Sequence, residues 1–143
     1  MDSLVNLFNG FQVALSGSNL LFCFLGVSLG MVVGILPGIG PVAGIALLIP
    51  LTYDLDPTTA IIMLSGIYYS CMYAGTITSV LINVPGETAS VITCIDGYQM
   101  AKNGRAGAAL GVAAIGSFVG SIVTLLLLAF AGPKIAEIAL SFC

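Results

Sequence analysis

Long apolar windows separated by short polar clusters set the pattern of this chain. Residues 3–53, 57–86 and 106–133 contain no charged residue, and each window exceeds the roughly 20 residues that a helix needs to span a bilayer. The chain is 59% hydrophobic and 6% charged, whereas about a quarter of the residues in soluble domains are charged. The pattern therefore predicts an all-α, polytopic integral membrane protein.

Periodicity and turn signals divide the chain into five segments. Apolar residues at positions 4, 7, 8, 11 and 15 have helical spacing and predict a short amphipathic helix at the membrane surface within residues 1–17. Ser18 or Asn19 is a candidate N-cap for the helix that follows. The other predicted segments are a broken helix over 20–51, a second broken helix over 58–95, a span over 106–131 and the start of a further element over 132–143.

The polar stretch "DGYQMAKNGRAG" predicts a loop over residues 96–105. It holds two of the three basic residues of the chain, Lys102 and Arg105. Because short cytoplasmic loops are enriched in Lys and Arg, this loop is expected on the cytoplasmic side of the membrane.

Gly26, Gly30 and Gly34 are spaced by four residues in the first predicted membrane helix. Such residues lie on one helical face, and without side chains they let another helix backbone approach closely. The row therefore predicts a tightly packed partner helix. Glycines at 107, 111, 116 and 120 offer small residues for packing in the 106–131 span.

A Pro-Gly break interrupts the first long window, in "VVGILPGIGPVAGIALLIPL" at residues 32–51. Pro37 destabilises a helix interior by roughly 3 kcal/mol, and irregular backbone within a bilayer persists only inside protein or beside a water-filled cavity. Pro41 suits the first position of a new helix. The piece from 42 to 51 is too short to cross alone, so 20–51 is either one broken span or contains a re-entrant hairpin.

A second break, "NVPGETAS", follows the unusually polar stretch "GIYYSCMYAGTITS", which indicates a helix face lining a wet cavity. A helix that restarts inside the membrane exposes unpaired N–H groups and its positive dipole end, which together form an anion site without a basic side chain. No Lys or Arg occurs within residues 1–101. Glu87 would repel an anion, so it is expected to be a cation ligand or proton carrier, or else a helix cap.

Composition argues against two other classes of function. Nucleic-acid binding needs clustered Lys and Arg, and this chain has three basic residues in total. Hydrolysis needs an activated nucleophile or paired acids, but the chain has no His and no acidic or Ser–Lys pair within a span. No enzyme activity or catalytic residue is therefore expected. The four cysteines lack metal-ligand spacing, so no metal site is expected either.

Two stretches carry a family resemblance: "GILPGIGPVAGIALLIPLTYDLDP" and "GIYYSCMYAGTITSVLINVPGETASVITCIDGYQMAKNGRAGAALGVAAIGSF". They closely resemble the first part of the large membrane subunit of the bacterial tripartite tricarboxylate transporters, the TctA family. The similarity runs over nearly the whole chain, and the Pro-Gly segments and the "DGY.MA..GRAG" loop are its most specific features.

The resemblance implies a permease component of a secondary active importer of tricarboxylates or related carboxylates, driven by an ion gradient. It implies three protein partners in or at the bacterial inner membrane: a periplasmic solute-binding protein, a small membrane subunit and the remainder of the permease. Large subunits of this family are several times longer and have a second half with its own breaks, as inverted repeats do. This chain is therefore expected to be the first part of an inverted-repeat transporter, as a fragment, a truncated reading frame or one piece of a split subunit.

The leading hypothesis places a carboxylate site at the two breaks. Residues expected to contact the substrate or its ion are Gly38, Ile39, Gly40, Asn83, Gly86, Thr88 and Ser90. Glu87 is expected to bind the coupling Na⁺ or H⁺, and no other cofactor is expected. The alternative is a membrane assembly or scaffold subunit with no solute site, whose glycine rows pack helices against a partner.

Overall fold

The computed structural model describes the backbone of residues 2–140 and the side chains of residues 5–132 and of Ile135. Most of the described backbone is helical, and no strand occurs among the described residues. Within that part the α-helices are α1 (Asp2–Ala14), α2 (Gly17–Gly34), α3 (Pro41–Leu48), α4 (Pro57–Ile82), α5 (Val91–Lys102) and α6 (Ala106–Leu140), with 3-10 turns at Ile49–Thr52 and Thr88–Ser90. The predicted all-α class is confirmed.

Three helical segments are long and apolar enough to cross a membrane. They are Gly17–Gly34, Pro57–Ile82 and Ala106–Gly132. The piece from Pro41 to Thr52 is apolar but shorter, because the first Pro-Gly break, at residues 37–38, separates it from α2. This arrangement agrees with the predicted multi-pass architecture.

Helices α2 and α4 pack along the glycine row of α2. A Cβ atom built on Gly34 would lie 2.6 Å from Cα of Cys71, and one built on Gly30 would lie 2.5 Å from the carbonyl oxygen of Ile67. A Cβ atom on Gly26 would collide with the backbone of Met63. Because these separations are shorter than van der Waals contact, only glycine permits this approach, and the predicted close packing is confirmed.

The core lies between α2, α3 and α4. Its buried members are Leu48, Met63, Ile67 and Cys71, with Phe22, Leu29 and Val33 among the partly buried residues packed around them. The two backbones are close enough that the Cys71 thiol of α4 donates a hydrogen bond to the carbonyl oxygen of Gly30 at 3.1 Å. Apolar packing and this bond together hold the break that follows α2 against α4.

Helix α1 presents apolar side chains outward. Phe8 is 66% exposed and Phe11 is 59% exposed. This exposed face is what an interfacial helix requires. The position of α1 at a membrane surface stays a prediction.

Asn19 links the first two helices to α4. The prediction that Ser18 or Asn19 caps α2 is wrong, because α2 begins at Gly17 and both residues lie inside it. Asn19 is buried instead. Its Nδ2 donates to the carbonyl oxygen of Val13 at 2.8 Å, and its Oδ1 accepts from Oγ1 of Thr59 at 2.6 Å.

The loop predicted over 96–105 is helical over most of its length, because α5 continues to Lys102. Gly97 packs α5 closely on α4: a Cβ atom there would lie 2.9 Å from Cγ2 of Val80. The helix ends in a Schellman motif at Gly104, with φ of +75°. The amide of Gly104 donates to Ala101 and that of Arg105 donates to Met100, both at 2.9 Å.

Helix α6 runs without interruption to Leu140. The predicted new element from residue 132 is therefore a continuation of α6 as far as residue 140, and residues 141–143 lie outside the described residues. A proline removes one backbone donor, which membrane helices tolerate. No residue in the apolar window of α6 is buried, and its four predicted packing glycines (Gly107, Gly111, Gly116 and Gly120) have no neighbouring atom within 4 Å of a built Cβ.

Candidate functional site

The first break leaves two backbone amides at the start of α3 without a partner inside the helix. Gly40 is the extended N-cap residue and supplies no side-chain cap. Pro41 is the first residue of α3, as predicted, and has no N–H. The amide of Gly44 already donates to the carbonyl oxygen of Gly40 at 3.0 Å. The donors that remain in this first turn are the N–H groups of Val42 and Ala43.

The second break is capped from within. Asn83 ends α4 in the left-handed region with φ of 59°, and Glu87 and Ser90 then form a capping box. The amide of Glu87 donates to Oγ of Ser90 at 3.2 Å, and that hydroxyl donates to the carbonyl oxygen of Glu87 at 2.9 Å. The Ser90 hydroxyl thus holds the shape of the turn, and the Glu87 carboxylate faces the first amides of the restarting helix.

Gly86 fixes the second break against α4. It is buried, and a Cβ atom built on it would collide with the backbone of Gly75. Because two glycines meet backbone to backbone, the loop folds back over the middle of α4. This contact brings the second break to the same region as the first.

Both breaks line one cavity of about 880 Å³, called here the break cavity. Its lining includes Gly38, Gly40, Val42 and Ala43 from the first break, Pro85, Gly86, Glu87 and Thr88 from the second, and Tyr68 and Met72 from α4. The two proline-glycine segments, distant in sequence, therefore face the same space. The amides that remain at the start of α3 belong to residues of its wall.

A smaller cavity of about 460 Å³, called here the hydroxyl cavity, lies beside the break cavity. Tyr68, Met72, Glu87 and Ala89 line both cavities. The hydroxyl cavity is lined further by Tyr69, Tyr73, Thr76, Ser90, Thr93, Ser117, Gly120, Ser121 and Thr124. Glu87 thus stands at the boundary between a space lined by backbone breaks and a space lined by hydroxyl groups.

Most of the predicted site residues come together in these walls. Gly38, Gly40, Gly86, Glu87 and Thr88 line the break cavity, and Ser90 lines the hydroxyl cavity. Ile39 and Asn83 line neither cavity. Their assignment as contact residues is not supported by this geometry, although both lie within the breaks.

Sequence reasoning missed two groups of lining residues. Val42 and Ala43 carry the remaining amides but have apolar side chains, so composition gives no signal for them. Ser117, Ser121 and Thr124 are spaced i, i+4 and i+7 on α6, and that helical spacing could have indicated a polar face.

Glu87 dominates the electrostatics of the site. Among the residues that line the two cavities, it is the one carboxylate, and none is Lys or Arg. Glu87 lies outside the three candidate spans, and burial raises the pKa of its carboxyl group above the usual range. Within the described part of the chain, no group of three or more His, Cys, Asp or Glu residues could hold a metal ion.

Comparisons with known proteins agree with this membrane architecture. The family described as "Tripartite tricarboxylate transporter TctA family" matches residues 20–143. The chain is also 56% identical over 142 residues to a protein of Agrobacterium vitis described as an uncharacterized 52.8 kDa protein in the TAR-I ttuC' 3' region; the match covers 99% of this chain and 28% of that relative. The chain thus spans under a third of the relative's length. No solved structure shows a significant match.

Because the family match extends over most of the chain, and both Pro-Gly breaks fall inside it, the predicted resemblance is confirmed. The description of this family is that of a transporter. The chain belongs to the tripartite tricarboxylate transporter TctA family.

Proposed function

We propose that this chain forms the first part of a permease that imports tricarboxylates or related carboxylates, and that the break cavity receives a carboxylate group of the substrate. The observation that supports the proposal is the convergence of both Pro-Gly breaks on one cavity whose lining residues include neither Lys nor Arg. An anion held there must be bound by backbone amides and hydroxyl groups.

The geometry suggests a distinct role for each predicted residue. The amides of Val42 and Ala43 and the hydroxyl of Thr88 donate to the carboxylate, and the bare backbone of Gly38, Gly40 and Gly86 lets the substrate approach. Ser90 positions the second break through its bonds to Glu87. Ile39 and Asn83 shape the breaks, and Glu87 interacts with the coupling Na⁺ or H⁺.

The transporter as a whole needs further components. We propose that the remainder of the permease closes the site, that a periplasmic solute-binding protein delivers the substrate, and that a small membrane subunit completes the complex in the bacterial inner membrane. Import is driven by symport with the cation. These partners follow from the tripartite family to which the chain belongs.

A charge placed at the free end of α3 tests the anion site. Ala43→Asp puts a carboxylate beside the amides, and Ala43→Asn puts an uncharged side chain of the same size there. Two unit charges about 6 Å apart repel by roughly 3 kcal/mol at an effective dielectric constant of about 20, which corresponds to about a hundredfold in affinity.

The measurement is carboxylate uptake and binding by the full-length permease, assembled with its partner subunits in proteoliposomes. Ala43→Asp should weaken apparent affinity by about a hundredfold, and Ala43→Asn by less than about threefold. Equal affinity in the two variants would show that no substrate carboxylate approaches the start of α3.

A second candidate function is helix assembly without a solute site, and the exposure of α6 favours it. The apolar window of α6 is unburied, and a Cβ atom built on Gly111 or Gly116, which line neither cavity, meets no atom within 4 Å. Under this alternative, Gly111→Leu together with Gly116→Leu abolishes assembly of the complex, measured by co-purification of the small membrane subunit, while Ala43→Asp leaves uptake unchanged. The glycines of α2 are unsuitable for this test because they pack against α4 within the chain.

A further inference from the structure

Helices α2 and α4 run in the same direction where they pack together. Gly26 of α2 meets the backbone of Met63, and Gly34, eight residues later, meets the backbone of Cys71, which is also eight residues later on α4. Helices that cross a bilayer in succession and are joined by a short connection are antiparallel neighbours. The parallel order therefore means that the chain travels back along α4 between the end of α2 and the start of α4.

Helix α3 makes the first part of this return. A Cβ atom built on Gly44 would lie 2.9 Å from Sγ of Cys71 and 3.6 Å from Cγ1 of Val33, near the end of α2. Leu48, one turn further along α3, is buried in the core with Met63, which lies nearer the start of α4. Helix α3 therefore runs back toward the first residue of α4.

The rise per residue of each helix gives the depth of this excursion. Cys71, level with the last residue of α2, lies about 21 Å along α4 from Pro57. The eight residues of α3 and the four of the 3-10 turn after it span about 20 Å on the way back. Helix α4 has 26 residues and is about 39 Å long, enough to cross a hydrocarbon core of about 30 Å. The distances in and back agree, and the excursion turns near the middle of α4.

The second break reaches a similar depth from the other end of α4. The helix ends at Ile82, yet Gly86 packs on the backbone of Gly75, about 10 Å back along α4. Gly97 then lies against Val80, so α5 leads outward again in the direction of α4. The two breaks thus enter from opposite ends of α4.

We infer that residues 17–52 form a re-entrant hairpin, which enters and leaves through one face of the membrane, and that residues 83–90 fold into the membrane from the opposite face. Helices α4 and α6 then cross the membrane, and α2 does not. Helix α1 and the turn at 53–56 share one face, and Lys102, at the end of α5, lies at the other. The break cavity lies near half depth, between the two breaks. This topology does not depend on which substrate the cavity receives.

The alternative topology has three successive crossings by α2, α4 and α6, which the lengths of these helices allow. It places α1 and the end of α5 at the same face, with the turn at 53–56 opposite them. The re-entrant hairpin instead places α1 and this turn together, with the end of α5 opposite. One labelled position in each of the three regions therefore separates the two topologies.

The test uses the full-length permease with its partner subunits, in sealed right-side-out and inside-out membrane vesicles. Single cysteines replace three exposed residues: Ser16→Cys between α1 and α2, Asp54→Cys in the turn and Asn103→Cys after α5. Cys71, which is 3% exposed, is kept as the unlabelled baseline, and the other cysteines are replaced by alanine. A membrane-impermeant maleimide reports the face at which each new cysteine lies.

Ser16→Cys and Asp54→Cys should both be labelled at least tenfold faster in one kind of vesicle, and Asn103→Cys at least tenfold faster in the other. Tyr53→Cys, at a position where the native side chain is 79% exposed, should follow Asp54→Cys. Labelling of Ser16→Cys or of both turn variants from the same face as Asn103→Cys would overturn the inference. Ala43→Asp tests a separate point, because its failure to weaken carboxylate affinity would refute the substrate site and leave this topology intact.

Discussion

Replacing Gly30 with alanine tests the contact that holds α2 against α4. The new Cβ atom would lie 2.5 Å from the carbonyl oxygen of Ile67 and 2.7 Å from its Cα, and it would collide with Oγ of Ser70. Ordinary contact begins near 3.4 Å, so the helices must separate by about 1 Å, which forfeits about a quarter to a half of the dispersion energy of each contact across the interface.

The matched control is Gly10→Ala in α1, where a Cβ atom has no neighbour within 4 Å. Both substitutions gain about 1 kcal/mol of helix propensity, so the difference between them isolates the clash. Overpacking of this kind destabilises by about 1–3 kcal/mol. We therefore expect Gly30→Ala to be less stable than Gly10→Ala by that amount. We also expect Gly30→Ala to take up less carboxylate, because the first break moves with α2.

The assay is thermal unfolding of the full-length permease in detergent, combined with thiol labelling of Cys71 in a background without the other cysteines. The Cys71 thiol is 3% exposed and donates to the carbonyl oxygen of Gly30, so separation of the helices should accelerate its labelling in Gly30→Ala alone. Equal unfolding temperatures and equal labelling rates in the two variants would refute the close packing of α2 on α4.

Two further predictions concern side chains. Thr59→Val leaves the buried Oδ1 of Asn19 without its 2.6 Å donor and should lower the free energy of unfolding by about 1–3 kcal/mol. The control Thr52→Val, at an exposed turn, should change the free energy of unfolding, measured by the same denaturation assay, by less than about 0.5 kcal/mol. Equal effects of the two substitutions would contradict a role for Asn19. Because burial raises the pKa of Glu87, stability contributed by the neutral acid is present below the usual carboxyl pKa and is lost as pH rises through the raised value. Glu87→Gln should remove this loss of stability in Na⁺-free buffer. Superimposable profiles of stability against pH for Glu87→Gln and the unmodified protein would contradict the prediction.

Features governed by local backbone chemistry were predictable from the sequence. Pro41 begins α3 because its ring and missing N–H suit a first helical position, and the four-residue spacing of glycines in α2 places them on one face. The identity of the helix that packs on this face was not predictable, since it depends on which residues α4 turns toward Gly30.

Two predicted boundaries were misplaced, one of them by polarity. Residues 96–102 read as a loop because they are polar, yet an exposed helix is also polar, and what holds α5 is the fit of Gly97 against Val80 on α4. The local signal for the helix end was present in Gly104, whose positive φ marks the Schellman motif. The element predicted from residue 132 is instead a continuation of α6 as far as Leu140, because a proline need not end a membrane helix.

The candidate site was predictable as two breaks but not as one cavity. Their convergence depends on the contact between Gly75 and Gly86. These two glycines meet in space because the chain turns back over α4 after that helix ends. For the same reason the sequence could not separate Gly38, which lines the cavity, from Ile39, which does not. The hydroxyl groups of α6 line a cavity only because α6 lies beside α4.

The two breaks are chemically unequal, and this inequality suggests an order of binding. The start of α3 has amides but no cap, whereas the turn after Glu87 has a capping box that places a carboxylate at its own positive end. Glu87 therefore weakens the anion affinity of the second break and, from the shared wall, of the whole break cavity. A cation bound beside Glu87 cancels that charge and leaves the amides of α3 unopposed. On electrostatic grounds alone, the coupling cation should then bind before the carboxylate, and each should raise the affinity for the other by the same factor.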